Sequence, residues 1–146
     1  MSAIDLAAEL VRIFEGFKPK PYKCPAGIWT IGFGTTRYPD GRKVKSSDSS
    51  VDKKTAEIYL EDELEHSLSA VIRYCPKLVG SDNRLAAIAD FTYNLGVGAL
   101  QTSTLRKRLN QQDWMGAKKE LRKWVHGGGR VLPGLVKRRE IESKLL

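Results

Sequence analysis

No helix can run far between residues 16 and 48. Prolines stand at 19, 21, 25 and 39, and glycines at 16, 27, 32, 34 and 41. Proline removes a backbone donor, and glycine weakens a helix while permitting turns. On both sides the apolar residues recur at helical spacing. Before the break, Ile4, Leu6, Ala7, Leu10, Val11 and Phe14 predict a helix over residues 2–15, capped by Ser2 and stopped at Gly16. Within it, "GIWTIGFG" alternates Ile28, Thr30 and Gly32 with Trp29, Ile31 and Phe33, as a strand does. "YPDGRKV" carries turn chemistry and predicts a second strand after it. Asp52 then caps a long helix over about residues 53–74, with Leu60, Leu64, Leu68, Val71, Ile72 and Cys75 inward and Pro76 as its stop. "NRLAAIADFTYNL" and stretches near 103–110, 113–125 and 134–145 are helical, the last two separated by "HGGGR".

This order predicts an α+β chain of two lobes within a single domain, residues 1–146. A small β-hairpin lobe covers about residues 16–50. A larger helical lobe comprises helix 1 and about residues 75–146, and the helix at about 53–74 joins the two. A cleft between lobes is a natural ligand site. A chain of 146 residues is long enough for one real core. No apolar run is long enough to span a bilayer, and the N-terminus lacks the basic and apolar regions of a signal peptide. The expected location is therefore the cytoplasm. Two cysteines and two histidines form no metal-ligand cluster, so no metal and no cofactor are expected. Charge is unevenly spread. Residues 1–100 carry 13 Lys/Arg and 13 Asp/Glu, whereas residues 101–146 carry 12 and 4, which accounts for the whole net +8. Such an excess suits a polyanionic partner or simply a solvated helix face.

Three polar residues around the break are candidates for chemistry. Glu15 closes helix 1 near the negative end of its dipole, with Phe14 and Phe17 to exclude water. Both effects disfavour the ionised carboxylate, which suits a general acid. Thr30 lies on the strand face opposite Trp29, Ile31 and Phe33. If those three pack inward, its hydroxyl faces the cleft and can hold a water. Cys24 sits in a loop stiffened by Pro21 and Pro25. Taken singly, a helix-terminal glutamate is ordinarily solvated, a lone cysteine is ordinarily core, and a strand threonine ordinarily has no chemical role.

"FEGFKPKPYKCPAGIWTIGFGTT" resembles the signature of the phage-type lysozymes, glycoside hydrolase family twenty-four. Glu15-Gly16, Tyr22, Cys24, Gly27, Thr30-Ile31-Gly32 and Gly34 each match, and Thr35 stands where the family has His or Thr. "DFTYNLGVGAL", "STLRKRLN" and "W…GGGRVLPGLVKRRE" resemble later segments of the same family, so the likeness covers nearly the whole chain. It implies a bilobed lysozyme fold and an endolysin cutting the β-1,4 bond between N-acetylmuramic acid and N-acetylglucosamine in peptidoglycan. It assigns Glu15 as general acid and places Cys24 and Thr30 as the water-positioning pair, Cys24 standing where most members have Asp. An ordinary thiol is mostly protonated at neutral pH but can still orient a water. Lys20 and Lys23 are near enough in sequence to favour its thiolate. Tyr93, Asn94 and Thr104 match cleft-lining, substrate-binding positions. The resemblance further implies a monomer held in the host cytoplasm until a separate holin-like partner lets it reach the cell wall. An anionic envelope surface is a further partner, and nucleic acid is not expected.

Two alternatives remain at this point. One is a lytic transglycosylase, which uses a single acid and no water. The other is a non-catalytic basic module for cell wall or nucleic acid. Among the other residues, Arg138 and Arg139 could pair with a carboxylate near the active site but are read as coating the last helix, Trp114 and Trp124 as core, and Cys75 as a buried structural thiol.

Overall fold

The computed structural model describes residues 1–146. Helix α1 spans Ala3–Glu15, with the Ser2 hydroxyl accepting from the Asp5 amide and Gly16 ending it at φ +66°. Strand β1 (Lys18–Lys23) pairs antiparallel with β2 (Trp29–Gly32). Helix α2 (Lys53–Tyr74) begins at Asp52, whose carboxylate accepts from the Thr55 amide. A 3-10 turn over Pro76–Leu78 leads into α3 (Asp82–Leu95), α4 (Val97–Gln101), α5 (Thr104–Asn110) and α6 (Trp114–Leu121). A two-residue hairpin, β3 (His126–Gly127) with β4 (Arg130–Val131), precedes α7 (Pro133–Lys144).

The α+β architecture and the connecting helix agree with the sequence reading. The strand pairing differs. The partner of β2 lies before it, in "KPKPYK", and the chain that follows β2 makes only isolated bridges, Ile31 to Thr35 and, across the Pro39 turn, Arg37 to Lys43. Pro19 and Pro21 hide this strand from a propensity argument. They are tolerated because β1 is an edge, and an irregularity between Lys18 and Tyr22 absorbs the ladder positions they cannot fill.

Two clusters make the core. The larger is built in the helical lobe from α1, α2, α3 and the later helices, with Val11, Leu60, Leu64, Ile88, Phe91, Leu100 and Leu121 buried. Trp114 and Trp124 pack half-buried against it, as expected, and Phe91 meets Trp124 edge to face at 5.5 Å. The smaller cluster holds Ile31, Tyr38 and Val44 under Trp29, Val51 and Tyr59. Phe33 crosses from the β lobe into the larger cluster, its ring 5.5 Å from that of Phe17. Between α1 and α2, Arg12 makes a bidentate pair with Glu57, with Nε 2.8 Å from Oε1 and Nη2 2.8 Å from Oε2.

Both cysteines are free. Cys75 is sealed in the larger core, where burial pushes its thiol up to about 11, while Cys24 is half-exposed. A small alkylating reagent should therefore modify one thiol in the native protein and the second only after denaturation, as read by intact mass. Rapid double modification of folded protein would contradict this packing.

Candidate active site

Helix α1 delivers Glu15 to the junction of the lobes. Its side chain is 20% exposed, and its Oε2 accepts from Nη1 of Arg138 at 3.2 Å. The backbone of Gly34 is pressed against the same carboxylate. A Cβ there would lie 2.7 Å from both Cδ and Oε2 of Glu15, and φ at Gly34 is +79°. Space and backbone conformation thus both demand glycine at this position.

The sequence reading preferred surface coating for Arg138 over pairing with a carboxylate near the active site, and the structure shows the pairing. Arg138 and Arg139 are 3% and 0% exposed. Arg138 grips Asp90 with Nε at 2.9 Å and Nη2 at 2.7 Å, leaving Nη1 for Glu15. Asp90 is fully buried on α3. Although burial opposes its charge, Arg138 and its other hydrogen bonds hold its carboxyl below the usual range. Glu142, also fully buried, goes the other way. Burial and the neighbouring Asp90 push its carboxyl well up. Arg139 Nε lies 2.9 Å from Glu142 Oε1, yet neither atom has a well-angled hydrogen bond. Arg139 instead donates from Nη2 to Asn94 Oδ1 at 2.6 Å.

The opposite side of the site is organised by one carbonyl. The oxygen of Ile28 accepts from the Cys24 amide at 3.0 Å and from the Thr30 hydroxyl at 2.9 Å. Gly27 closes the turn, donating to the Cys24 carbonyl at 2.8 Å with φ +80°. Cys24 and Thr30 are thereby brought together, as the sequence suggested. Thr30 is nevertheless buried, at 3% exposure, rather than facing out. Both faces of β2 are covered, so alternation of residue types misjudged its surroundings. Because the Thr30 hydrogen is committed to Ile28, its oxygen can only accept from a further partner. Tyr22 lies across the ladder from Thr30. Burial first, then the neighbouring Glu15 and Cys24, push its phenol up to about 12, so it is a neutral hydroxyl. Lys23 is turned onto the Trp29 ring, 5.5 Å from its centroid, and Lys18 onto Tyr22 at 4.3 Å.

The remaining sequence candidates lie at different depths. Tyr93 is buried and donates its hydroxyl to the Phe33 carbonyl at 2.6 Å, bracing the strand end next to Gly34. Asn94 is half-buried, its oxygen committed to Arg139 and its amide NH₂ unused by protein. Thr104 is exposed at the start of α5, a helix packed on α4, α6 and the 3-10 turn rather than on α1 or β2. Sequence reasoning missed Asp90, Glu142 and Glu63. In the sequence each is a charged residue in a helical stretch, and only their burial distinguishes them. Two open surface hollows, around Tyr38, Arg42 and Tyr59 and around Ile4, Glu9 and Arg12, include none of the candidate residues.

The phage lysozyme family profile matches residues 12–142, a span that holds Glu15, Cys24, Thr30 and Arg138. The chain belongs to the phage lysozyme family. The chain is 35% identical over 140 residues to the endolysin of Acyrthosiphon pisum secondary endosymbiont phage 1, covering 93% of this chain and 91% of that one. The solved endolysin from Escherichia coli O157:H7 phage FAHEc1 superposes with a TM-score of 0.84 at 32% identity, covering 99% of this chain and 92% of that one. The muramidase domain of SpmX from Asticaccaulis excentricus gives a TM-score of 0.75 at 26% identity, covering 95% and 93%. These matches bear out the lysozyme-like fold of two unequal lobes.

Within this phage lysozyme, removing Arg138 should be costly, because it strands two carboxylates. Arg138→Ala should lose about 3–5 kcal/mol at pH 7. The sign with pH follows from Asp90. Its proton affinity is depressed by folding, so its contribution is present above the unfolded value of about 3.9 and lost as pH falls through the lower folded value. The stability gap between wild type and Arg138→Ala should accordingly narrow in acid. Denaturant melts across pH 3–8 check this, and a gap of equal size at every pH would contradict the ledger.

Proposed function

We propose that the chain is a phage endolysin of the muramidase type. It hydrolyses the β-1,4 bond between N-acetylmuramic acid and N-acetylglucosamine in peptidoglycan. The observation that supports this reading is the shared Ile28 carbonyl, which accepts from both the Cys24 amide and the Thr30 hydroxyl. Glu15 gives its proton to the bridging oxygen as the bond from the anomeric carbon to that oxygen breaks. A water that donates to the Thr30 oxygen and to the Cys24 sulfur adds to the anomeric carbon from the other face. Its surplus proton leaves to solvent. The unused Asn94 NH₂ and the exposed Thr104 hydroxyl are the proposed sugar contacts. Tyr93 acts by bracing Phe33 rather than by touching sugar.

Glu15→Gln should fold normally and lose about 10²- to 10⁴-fold in lysis of outer-membrane-permeabilised cells. Cys24→Asp should keep substantial activity, since a carboxylate accepts from the same water. Cys24→Ala and Thr30→Ala should each lose most of it, with the double variant little worse, as for groups acting as a unit. Turbidity loss reports the rates, and mass spectrometry of the products identifies the reducing-end sugar. An anhydro sugar in place of a reducing end would identify a transglycosylase that needs only Glu15. Full activity of Cys24→Ala would remove the thiol from the mechanism.

The basic C-terminal third supports an anionic envelope as a second contact. Arg138 and Arg139 are spent inside the protein, but Lys107, Lys119, Arg122, Lys123, Arg130, Lys137 and Lys144 are exposed. No helix is long and apolar enough to cross a membrane. In this reading the enzyme is a monomer, waits in the host cytoplasm, and reaches the wall through a separate membrane-permeabilising protein. At 0.1 M salt, exposed charges are screened beyond about 10 Å. Whole-cell lysis should therefore fall with added salt more steeply than cleavage of a small uncharged oligosaccharide. Parallel salt curves would assign the basic surface to solubility alone.

A further inference from the structure

Outside the residues already assigned, one carboxyl is out of place. Glu63 lies on α2, whose other acids Glu57, Glu61 and Glu65 are paired or face solvent. Its Oε2 is sealed from water and has no hydrogen-bond partner. Helical spacing says where it points. Ala56, Leu60 and Glu63 follow one another at four and three residues and so share a face. Ala56 touches β2 directly, since a Cβ on Gly32 would meet its own at 3.0 Å. Glu63 stands two turns further along that face, about 10 Å at 1.5 Å per residue. It shares the α2 face that meets β2 and lies within reach of the charge on Glu15, a residue that the chain leaving β2 touches.

That chain is residues 33–35, and each is tied to the active site. The Phe33 carbonyl accepts from Tyr93, Gly34 backs onto the Glu15 carboxylate, and the Thr35 hydroxyl is buried with no partner of its own. Two sealed, unpartnered oxygens, Thr35 Oγ1 and Glu63 Oε2, thus occur where β2, α2 and α3 meet. Native proteins leave few such groups without a reason.

We propose that Glu63 is a positioning residue for Glu15, the two forming a charge-coupled carboxyl pair around the end of β2. Burial, and then the charges of Glu15 and Asp62, push Glu63 up to about 7. The groups facing this region are Glu15 from α1, Tyr22 from β1, Asp62 beside Glu63 on α2, Tyr93 from α3 and Arg138 from α7. Both tyrosines are held neutral, with phenols raised by burial. Arg138 opposes the pair's repulsion, but Asp90 takes two of its hydrogen bonds. Electrostatic coupling is mutual, so a charge on Glu63 favours the protonated form of Glu15. Glu63 thereby offsets the pull of Arg138 on the group that must deliver a proton.

This inference rests on Glu15 being the acid, and two measurements separate the claims. In the first, the Glu63 side-chain carboxyl is titrated by carbon-13 NMR in wild type and in Glu15→Gln. Removing the Glu15 charge should move the Glu63 midpoint to lower pH by about half a unit or more. An unchanged midpoint overturns the pairing, whatever Glu15 does in catalysis. In the second, pH–rate profiles on peptidoglycan are compared for wild type and Glu63→Gln, whose amide imitates the neutral acid. Below pH 6 the rates should agree within about twofold, while the alkaline fall of the variant should come about one pH unit earlier. A loss by one factor at every pH, or superimposable profiles, would show that Glu63 only fills space. A fully active Glu15→Gln would sink the acid assignment and leave the NMR coupling standing. If Glu63→Gln fails to fold, the titration of wild type against Glu15→Gln decides alone.

Discussion

A guanidinium group taken out of water must be surrounded by acceptors, and Arg138 finds them in two distant parts of the chain. Asp90 on α3 takes its fork, and Glu15, 123 residues earlier, takes its remaining donor. The end of α1, the centre of α3 and the middle of α7 are held to one point by this demand. Desolvating so much charge is costly. The ion pair with Asp90 offsets part of that cost, and burial with the neighbouring Asp90 raises the proton affinity of Glu142. The acid is therefore positioned only once the last helix has docked, and the α1–α3 contact, among the most extensive in the molecule, acquires a polar lock at its end.

The second half of the site is held by smaller forces, all of them backbone-centred. A tight turn ending at Gly27 brings the Cys24 amide to the Ile28 carbonyl, and the Thr30 hydroxyl meets the same atom from the strand. Neither side chain owes its place to hydrophobic packing of its own. One consequence is chemical: a threonine whose hydrogen is already donated presents only lone pairs, the polarity that a water about to lose a proton needs.

Much of this was legible beforehand, for identifiable reasons. Helices α1 and α2 follow from apolar period, from Ser2 and Asp52 as caps, and from Gly16 and Pro76 as stops, all of which act within a few residues. The burial of Cys75 and the packing of the tryptophans follow from the same periodicity. The pairing of β2 did not. Propensity rejects "KPKPYK" as a strand, and only the free outer edge of a two-stranded sheet makes its prolines harmless. Thr30 was placed on an open face because alternation reports two faces without saying what covers each.

By itself, then, the sequence determined the local elements, the family, and the identity of Glu15, Cys24 and Thr30 as its conspicuous polar residues, because caps, turns and spaced motifs are short-range properties. What tertiary structure decided is which charges are inside. Arg138, Arg139, Glu142 and Asp90 read as ordinary polar positions in helical stretches, and Glu63 as one acid among several. Burial of a charge depends on which distant residue arrives to compensate it, and no window along the chain contains both partners. That long-range electrostatic balance separates a solvated helix face from the buried cluster of charges around Glu15.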